Sequence, residues 1–529
     1  MPDWIVILPV LVTLFAAPLF GLLARQFASA RRWLAIILLA LTLLAVALNI
    51  APGTHRWVVA DWHAAAFLIA FRADGTVIAM WLLMLVPLLA LWLVAPPQSP
   101  FAPTRVLLLS AALLLTAADG IVAMFLAWTL FDLAMLAWRI AHDAEQANAA
   151  RGLVTGLFAG ILLFGGAMLL GTPRADDGAR MIALALWARL ALFPFQSLLP
   201  RRGADAADLI FSRALPILAT SALWARWNDF KVAAPGDLIG TLAILTWLVA
   251  LIWIWREEDP VRAVTVGASH AITLVPLAMA FGGDAGSVFV WWLAASLALA
   301  FAFFEMALRW RAENRNRWAR LLWFAGVFTL LAPPLSPAFL GRVGVYVSLW
   351  ESGQGLAWLL IGIVTTWLVA PLWNFAFAVR GTEERATHRT ESLAIGLLAL
   401  AFIALTLVPL PIAQAFGEQM NEATNAAMVR VIWTNNVLGV VSSFALVLVP
   451  ILLSFPLASQ VRGWHLRVNS LWMRIARIFD LYWLEHFATR VGMQTGNVAR
   501  RVSIITEENP TVWLLLAGLW VAILILVLR

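Results

Sequence analysis

The sequence predicts an all-α, polytopic membrane protein with about 14–17 spanning helices, each needing about 20 mostly apolar residues. Three observations carry this prediction. Hydrophobic residues make up 63% of the 529 and charged residues 12%, against about 45–50% and about 25% in a soluble domain. Apolar stretches of spanning length recur along the whole chain. The cations cluster in the short segments between those stretches.

The spans fall near 4–24, 33–50, 76–95, 104–118, 121–141, 152–171, 181–199, 207–226, 237–255, 263–282, 286–308, 318–334, 337–350, 355–379, 391–414, 433–457 and 511–528. The stretch from Trp4 to Ala24 is too long for the apolar core of a signal peptide and reads as a retained first helix. The pieces at 104–118 and 337–350 are short and flanked by Pro or Gly, so the expected count is a range. The chain groups into N-terminal helices (1–120), a core (121–350), C-terminal helices (351–458), an amphipathic segment (459–510) and a final helix (511–529).

Loop charge gives an orientation. Arg25, Arg31 and Arg32 follow the first span, and Arg309, Arg311, Arg315, Arg317 and Arg320 form the strongest basic loop. The intervening loops at Asp119 and Asp284 carry almost no cations. Cytoplasmic loops are the basic ones, so an external N-terminus and a multi-pass location in the cell inner membrane are expected. The net charge of +7 is then a topology signal, and no nucleic-acid partner is expected. The 29 tryptophans are read as interfacial anchors.

In the amphipathic segment, Val468, Leu471, Trp472, Ile475, Ile478, Phe479 and Tyr482 share one helical face, with Arg467, Arg474 and Arg477 interleaved. Such a strip lies on the membrane surface or on another subunit. About 40 helical residues reach about 60 Å. A brace across a neighbour and a plain interfacial helix both fit.

The motifs of soluble enzymes are missing. The chain has no cysteine, which excludes disulfides, thiolate metal sites and cysteine nucleophiles. No phosphate loop, nucleotide-binding glycine pattern or zinc spacing occurs, and no cofactor is expected. The informative pieces are interrupted helices. Phe193-Pro194-Phe195-Gln196-Ser197-Leu198-Leu199-Pro200 closes one span, and Pro333-Pro334 precedes Phe339-Leu340-Gly341-Arg342 in another. Proline in a span frees backbone carbonyls that only protein or water can satisfy. Two such breaks, one in each half, point to an ion or substrate path at the interface of internal repeats.

The order and spacing of several segments resemble the antiporter-like membrane subunits of respiratory complex I, Mrp-type cation/proton antiporters and membrane-bound hydrogenases. Phe71 to Gly75 is similar to the family's F-x-x-D-G, and Phe125 to Leu130 to its F-x-x-W-E-L. Arg189 to Pro200 resembles K-x-x-x-F-P-x-H-x-W-L-P, and Asp259 to Thr273 the stretch D-x-K-R-x-L-A-Y-S-S-I-S-Q-L-G. Leu331 to Pro334 with Phe339 to Arg342 resembles L-P-P-x-x-G-F-x-x-K. Val502 to Leu515 resembles a glutamate-containing stretch before the last helix of larger members. The resemblance covers nearly the whole chain. It implies inverted repeats, two broken helices, a lateral C-terminal helix and other membrane subunits as partners. It also implies at most a non-catalytic role within a proton-translocating NADH:quinone oxidoreductase-like complex.

The family's relay of buried glutamate, lysine and histidine is largely absent at the matching positions. Thr129 stands for the glutamate of the fifth span, Arg189 for the lysine of the seventh and Arg342 for the lysine of the second broken helix. An apolar stretch around Leu218 and the run Ala294 to Ala298 replace the other relay groups. Only one lysine, Lys231, occurs in the chain. Arginine keeps its proton in proteins, whereas buried lysine readily gives it up.

The candidate ion or proton path residues are therefore Asp132, Arg189, His270, Glu305 and Arg342. Asp132 lies one turn after Thr129 and either inherits the glutamate's role or pairs with Arg139 or Arg189. Glu305 stands four residues before Arg309, the spacing of a helical ion pair. His270 is mid-span and carries the side chain that changes charge closest to neutrality, although a satisfied core histidine is the preferred reading. Asp74 and Asp119 sit at span edges as caps or wetted groups. Three functional readings follow: a scaffold or partial channel with a degraded relay, an active proton or sodium translocator using replacement groups, and an unrelated permease for a small solute.

Overall fold

The structure, a computed structural model, describes residues 3–26, 31–50, 55–61, 68–94, 103–142, 146–195, 209–255, 257–313, 316–334, 336–377, 389–407, 425, 437 and 439–458. Contacts divide the chain into Met1–Asn469 and Ser470–Arg529. The described residues all belong to the first unit. The expected amphipathic segment at 459–510 and final helix at 511–529 lie outside the described residues.

Seventeen α-helices run in chain order through the described residues: α1 (Leu8–Gln26), α2 (Arg31–Ala47), α3 (Gly75–Val94), α4 (Pro103–Ala117), α5 (Ile121–His142), α6 (Gln146–Leu169), α7 (Ala175–Arg189), α8 (Leu215–Ala225), α9 (Gly236–Ile254), α10 (Pro260–Gly267), α11 (Ser269–Phe281), α12 (Gly286–Ala312), α13 (Asn316–Leu331), α14 (Phe339–Glu351), α15 (Gly355–Phe377), α16 (Arg389–Leu407) and α17 (Gly439–Ala458). Eight of the helical stretches are long and apolar enough to cross a membrane, and α10 with α11 counts as one of them. The protein is a membrane-embedded helical bundle, with α11 and α12 at its centre. The spans Pro260–Phe281 and Gly283–Ala312 are 89% and 94% buried, whereas α17 is 22% buried.

Local chemistry sets several helix starts. Asp74 Oδ1 accepts from the Val77 amide at 2.9 Å and caps α3. Asp259 accepts from the Val261 amide at 2.8 Å, with Pro260 as the first residue of α10. Both satisfy amides that the helix itself leaves without partners. Peripheral helices are two-faced. On α5 the side chains of Leu126, Leu130, Leu133 and Ile140 are 46–52% exposed. Ala127, Trp128, Phe131, Ala134 and Trp138 on its other side are buried. An apolar face of this kind is at home only in lipid or against another apolar surface.

Two features depart from the expectations. The connection before α3 is not a simple loop. It forms strands β1 (His55–Asp61) and β2 (Leu68–Ala73), which join β3 (Ala118–Asp119) in an antiparallel sheet of order β1-β2-β3. Its residues include Trp57, Val58, Val59, Ile69 and Phe71, the β-branched and aromatic types that strands favour. The tryptophans also do more than anchor an interface. Trp81, Trp128, Trp187, Trp224 and Trp247 are fully buried. The indole N–H of Trp81 donates to the Leu113 carbonyl at 3.0 Å, and that of Trp247 to Thr273 Oγ1 at 2.7 Å. A buried indole is best placed beside such an acceptor, and Trp81, Trp128 and Trp247 bridge helices inside the bundle in this way.

At the sheet, three arginines meet three aspartates. Arg56 contacts Asp119 at 2.7 Å, and Arg72 contacts Asp74 at 3.0 Å and Asp229 at 2.6 Å. Arg226 follows α8 and is 4% exposed. It reaches Asp119 and Asp229 and donates to the carbonyls of Thr116 and Ala118. Asp74 and Asp119 are thus members of an ion-pair network as well as end-of-span residues.

Candidate functional site

The first candidate cluster lies between α5, α6 and α7. Asp132 on α5 and Arg189 at the end of α7 form an ion pair at 2.7 Å, both with side chains under 10% exposed. The Arg189 guanidinium carbon also lies 3.8 Å from the centre of the Trp128 ring and 4.8 Å from that of Phe131. Trp128 is held by donation from Nε1 to the Gly156 carbonyl at 3.1 Å. Of the two partners named for Asp132 from the sequence, Arg189 is hydrogen-bonded to it at 2.7 Å. Thr129 turns back to its own helix and donates to the Phe125 carbonyl at 2.9 Å.

Glycines on α6 make room for this cluster. A Cβ on Gly156 would stand 2.5 Å from Asp132 Oδ1, one on Gly152 would collide with the Arg139 guanidinium, and one on Gly160 would meet the Trp128 ring. The spacing Gly152-Gly156-Gly160 places all three on one face, the small-residue seam that lets membrane helices approach closely. This seam is visible in the sequence as a four-residue repeat.

The two breaks are built alike. After α7, Ala191 takes a left-handed φ of 53° and Phe193–Pro194 is cis. The carbonyl of Leu190 accepts from Arg213 Nη1 at 2.8 Å. Arg213 lies in a π turn, Ile210–Ala214, that leads into α8. After α13, Ala332 takes φ 48° before Pro333. The carbonyls of Leu330 and Leu331 accept from Arg342 Nη2 and Nη1 at 2.6 and 3.2 Å. In each case an arginine from the following helix meets carbonyls at the helix C-terminus, the negative end of its dipole. Leu218 and the run Ala294 to Ala298 are buried among apolar neighbours on α8 and α12.

The remaining candidates divide between these centres. His270 is fully buried on α11, with Nδ1 2.6 Å from the Gly267 carbonyl and Arg342 close enough to act on it electrostatically. Glu305 on α12 contacts Arg309 at 2.6 Å and accepts from the Ile210 amide at 2.7 Å. It therefore fixes the start of the π turn that carries Arg213. The five candidates thus fall into three places: Asp132 with Arg189, Glu305 with Arg309 at the π turn, and His270 with Arg342. Arg213 and Arg226 were not among them. The Leu190 carbonyl that Arg213 meets is remote in sequence, and so are the Thr116 and Ala118 carbonyls and Asp119 that Arg226 meets besides Asp229, three residues on.

Two small cavities join part of this system. One of about 40 Å³ is lined by Asp132, Arg139, Arg189, Ser212 and Arg213 among others. The second, about 20 Å³, is lined by Arg213, Thr246, Thr265 and Ser269, and shares Ala191 and Arg213 with the first. About 10–15 Å³ suffices for one water, so both are large enough for water. Among the described residues that line the first, Asp132 alone can readily exchange a proton, because arginine retains its own.

No family model and no curated protein matches this sequence. Solved structures do match. A chain of respiratory complex I from Thermus thermophilus with bound NADH aligns with TM-score 0.66 and 16% identity, over 81% of this chain and 100% of that one. A chain of the Mrp complex from Dietzia sp. DQ12-45-1b aligns with TM-score 0.73 and 17% identity, over 94% of this chain and 60% of that one. A chain of the membrane-bound sulfane sulfur reductase, an archaeal respiratory membrane complex, aligns with TM-score 0.63 and 16% identity, over 80% of this chain and 99% of that one. The fold of this chain is therefore that of the antiporter-like membrane subunits of such complexes.

Proposed function

We propose that the chain is a membrane subunit of a multi-subunit respiratory or ion-translocating complex, in which fixed charges replace a proton relay. It serves as a scaffold, or as a partial channel completed by neighbouring subunits. One observation carries this reading: Arg189 and Arg342, at the positions where the resemblance places relay lysines, are each engaged, one by Asp132 and the other by the Leu330 and Leu331 carbonyls. A relay group must gain and lose a proton in place, and these two keep theirs. The location is the cell inner membrane with an external N-terminus, supported by the alternation of arginine-rich and arginine-poor loops.

The cavity beside Asp132 favours a second reading, an active proton or sodium translocator with Asp132, His270 and Glu305 as replacement groups. Vesicles carrying the native complex separate the two. The double change Asp132→Asn with Arg189→Gln removes both charges together, and Glu305→Gln is added to it. Unchanged complex activity and unchanged proton flux agree with the scaffold reading. Abolished flux with an intact complex overturns it in favour of translocation. Isolation as a lone, stable protein with uptake of a specific solute overturns both.

A further inference from the structure

The second cavity contains a buried cation that no carboxylate among the described residues balances. Arg213 is 2% exposed, and its one hydrogen bond among the described residues is to the Leu190 carbonyl. Asp132 is engaged by Arg189 and Glu305 by Arg309, and among the described residues no ion pair reaches Arg213. Arginine stays protonated, and an isolated charge in the bilayer interior is costly. The C-terminus of α7 contributes about half a negative charge, which leaves the guanidinium partly uncompensated. Arg342 meets two helix-terminal carbonyls, whereas Arg213 meets one.

Among the described residues, the walls of this second cavity carry hydrogen-bond donors and no acid. Ala191 after α7, Arg213 in the π turn, Thr246 on α9, Thr265 on α10 and Ser269 on α11 all line the cavity. Arg213 Nε, Thr246 Oγ1 and Ser269 Oγ are buried and have no hydrogen-bond partner among the described residues. Thr246 and Ser269 are 4% and 6% exposed. A buried donor without an acceptor is unfavourable. A guanidinium and two hydroxyls can all donate to one acceptor, and the acceptor that also supplies the missing charge is an anion. The cavity volume of about 20 Å³ admits one small ion.

The geometry points to a binding site for a single small monovalent anion, of halide size, held by Arg213, Thr246 and Ser269 between the broken end of α7 and the α9–α11 wall. The anion completes the charge balance of the break and joins α7, the π turn and α9–α11 through one shared acceptor. It acts in the isolated chain, so the site stands apart from any reading of transport or of partners.

Chloride is the probe. Full-length protein purified in sodium gluconate is titrated with sodium chloride at constant ionic strength, while Tm and bound radiolabelled chloride are followed. One saturable chloride site is expected, with Tm rising by on the order of 3 °C or more as it fills. Thr246→Asp places a carboxylate beside Arg213. It should abolish chloride binding and remove the chloride dependence of Tm. Thr246→Val with Ser269→Ala, which keeps the Leu190 contact, should weaken chloride binding at least about tenfold through the lost donors. Absence of a chloride effect in the unmodified protein means that the cavity holds only water, and overturns the proposal. Chloride binding that survives both sets of changes places the ion elsewhere, and equally overturns it.

Discussion

The guanidinium of Arg189 sits 3.8 Å over the ring of Trp128 while its Nη2 donates to Asp132 at 2.7 Å. The cation is thus held on one side by a carboxylate and on another by an aromatic face, and Trp128 is itself fixed to α6 through Gly156. Trp128→Leu removes the aromatic face and the indole bond together. It should lower stability by about 2–4 kcal/mol, from lost volume and lost cation–π attraction. Thermal unfolding in detergent measures it, and a loss below about 1 kcal/mol would show that the ring bears little of the load.

The ion pair itself should be strongly non-additive. Either Asp132→Asn or Arg189→Gln alone leaves a buried charge without its partner, at about 3–5 kcal/mol. The double replacement removes both charges and should be far milder than the sum. A double-mutant cycle on unfolding midpoints reads the coupling, with a value of about 2 kcal/mol or more expected.

Glycines 152 and 156 face the same seam but meet different obstacles. At Gly156 an added methyl strikes the Asp132 carboxylate, which Arg189 holds in place. Gly156→Ala should cost about 1–3 kcal/mol as an overpacking defect. At Gly152 the obstacle is the end of the long Arg139 side chain, which has more freedom to move aside. Gly152→Ala should therefore lower Tm less than Gly156→Ala. The reverse order would mean that Arg139 is the more rigidly held of the two.

Arg342→Lys tests the second break. A lysine ammonium keeps the charge but cannot present the flat fork that serves the Leu330 and Leu331 carbonyls together. Losing one charge-assisted bond should cost about 1.5–3 kcal/mol. Faster amide exchange in the turns before Pro333 should accompany it, and wild-type exchange there would argue against the capping role.

The surface pair at the sheet should matter little by comparison. Arg56 is 49% exposed on its side chain, so Arg56→Ala should change stability by at most about 1 kcal/mol. Arg226→Ala removes a buried guanidinium that serves two carbonyls and two aspartates. It should cost about 3–5 kcal/mol. Parallel melting curves at low and high salt check both, with only the Arg56 contribution fading as salt rises.

Much of the fold was legible because each span must satisfy its own backbone in lipid. Apolar length located α3, α5, α9, α12 and α15 to within a few residues, and proline located both breaks. Local spacing brought Glu305 to Arg309 four residues on, whereas Arg189, one of the two partners named for Asp132, lies 57 residues away. What escaped was non-local or small. Arg213 meets a carbonyl on another segment, at Leu190, and Arg226, beside its local partner Asp229, meets those of Thr116 and Ala118. Strands β1 and β2 are too short and too mixed in polarity to stand out between two helices. Tryptophan at a span end reads as an anchor, and only packing reveals that Trp81 and Trp128 point inward.

The strands and their ion pairs have a mechanical meaning. β2 leads directly into α3, β3 into α5, and Arg226 with Asp229 follows α8. The ends of three helices from separate parts of the chain are riveted together on that side of the bundle. Any rocking of α3, α5 and α8 against one another must pivot there, and its amplitude can grow only toward the opposite end.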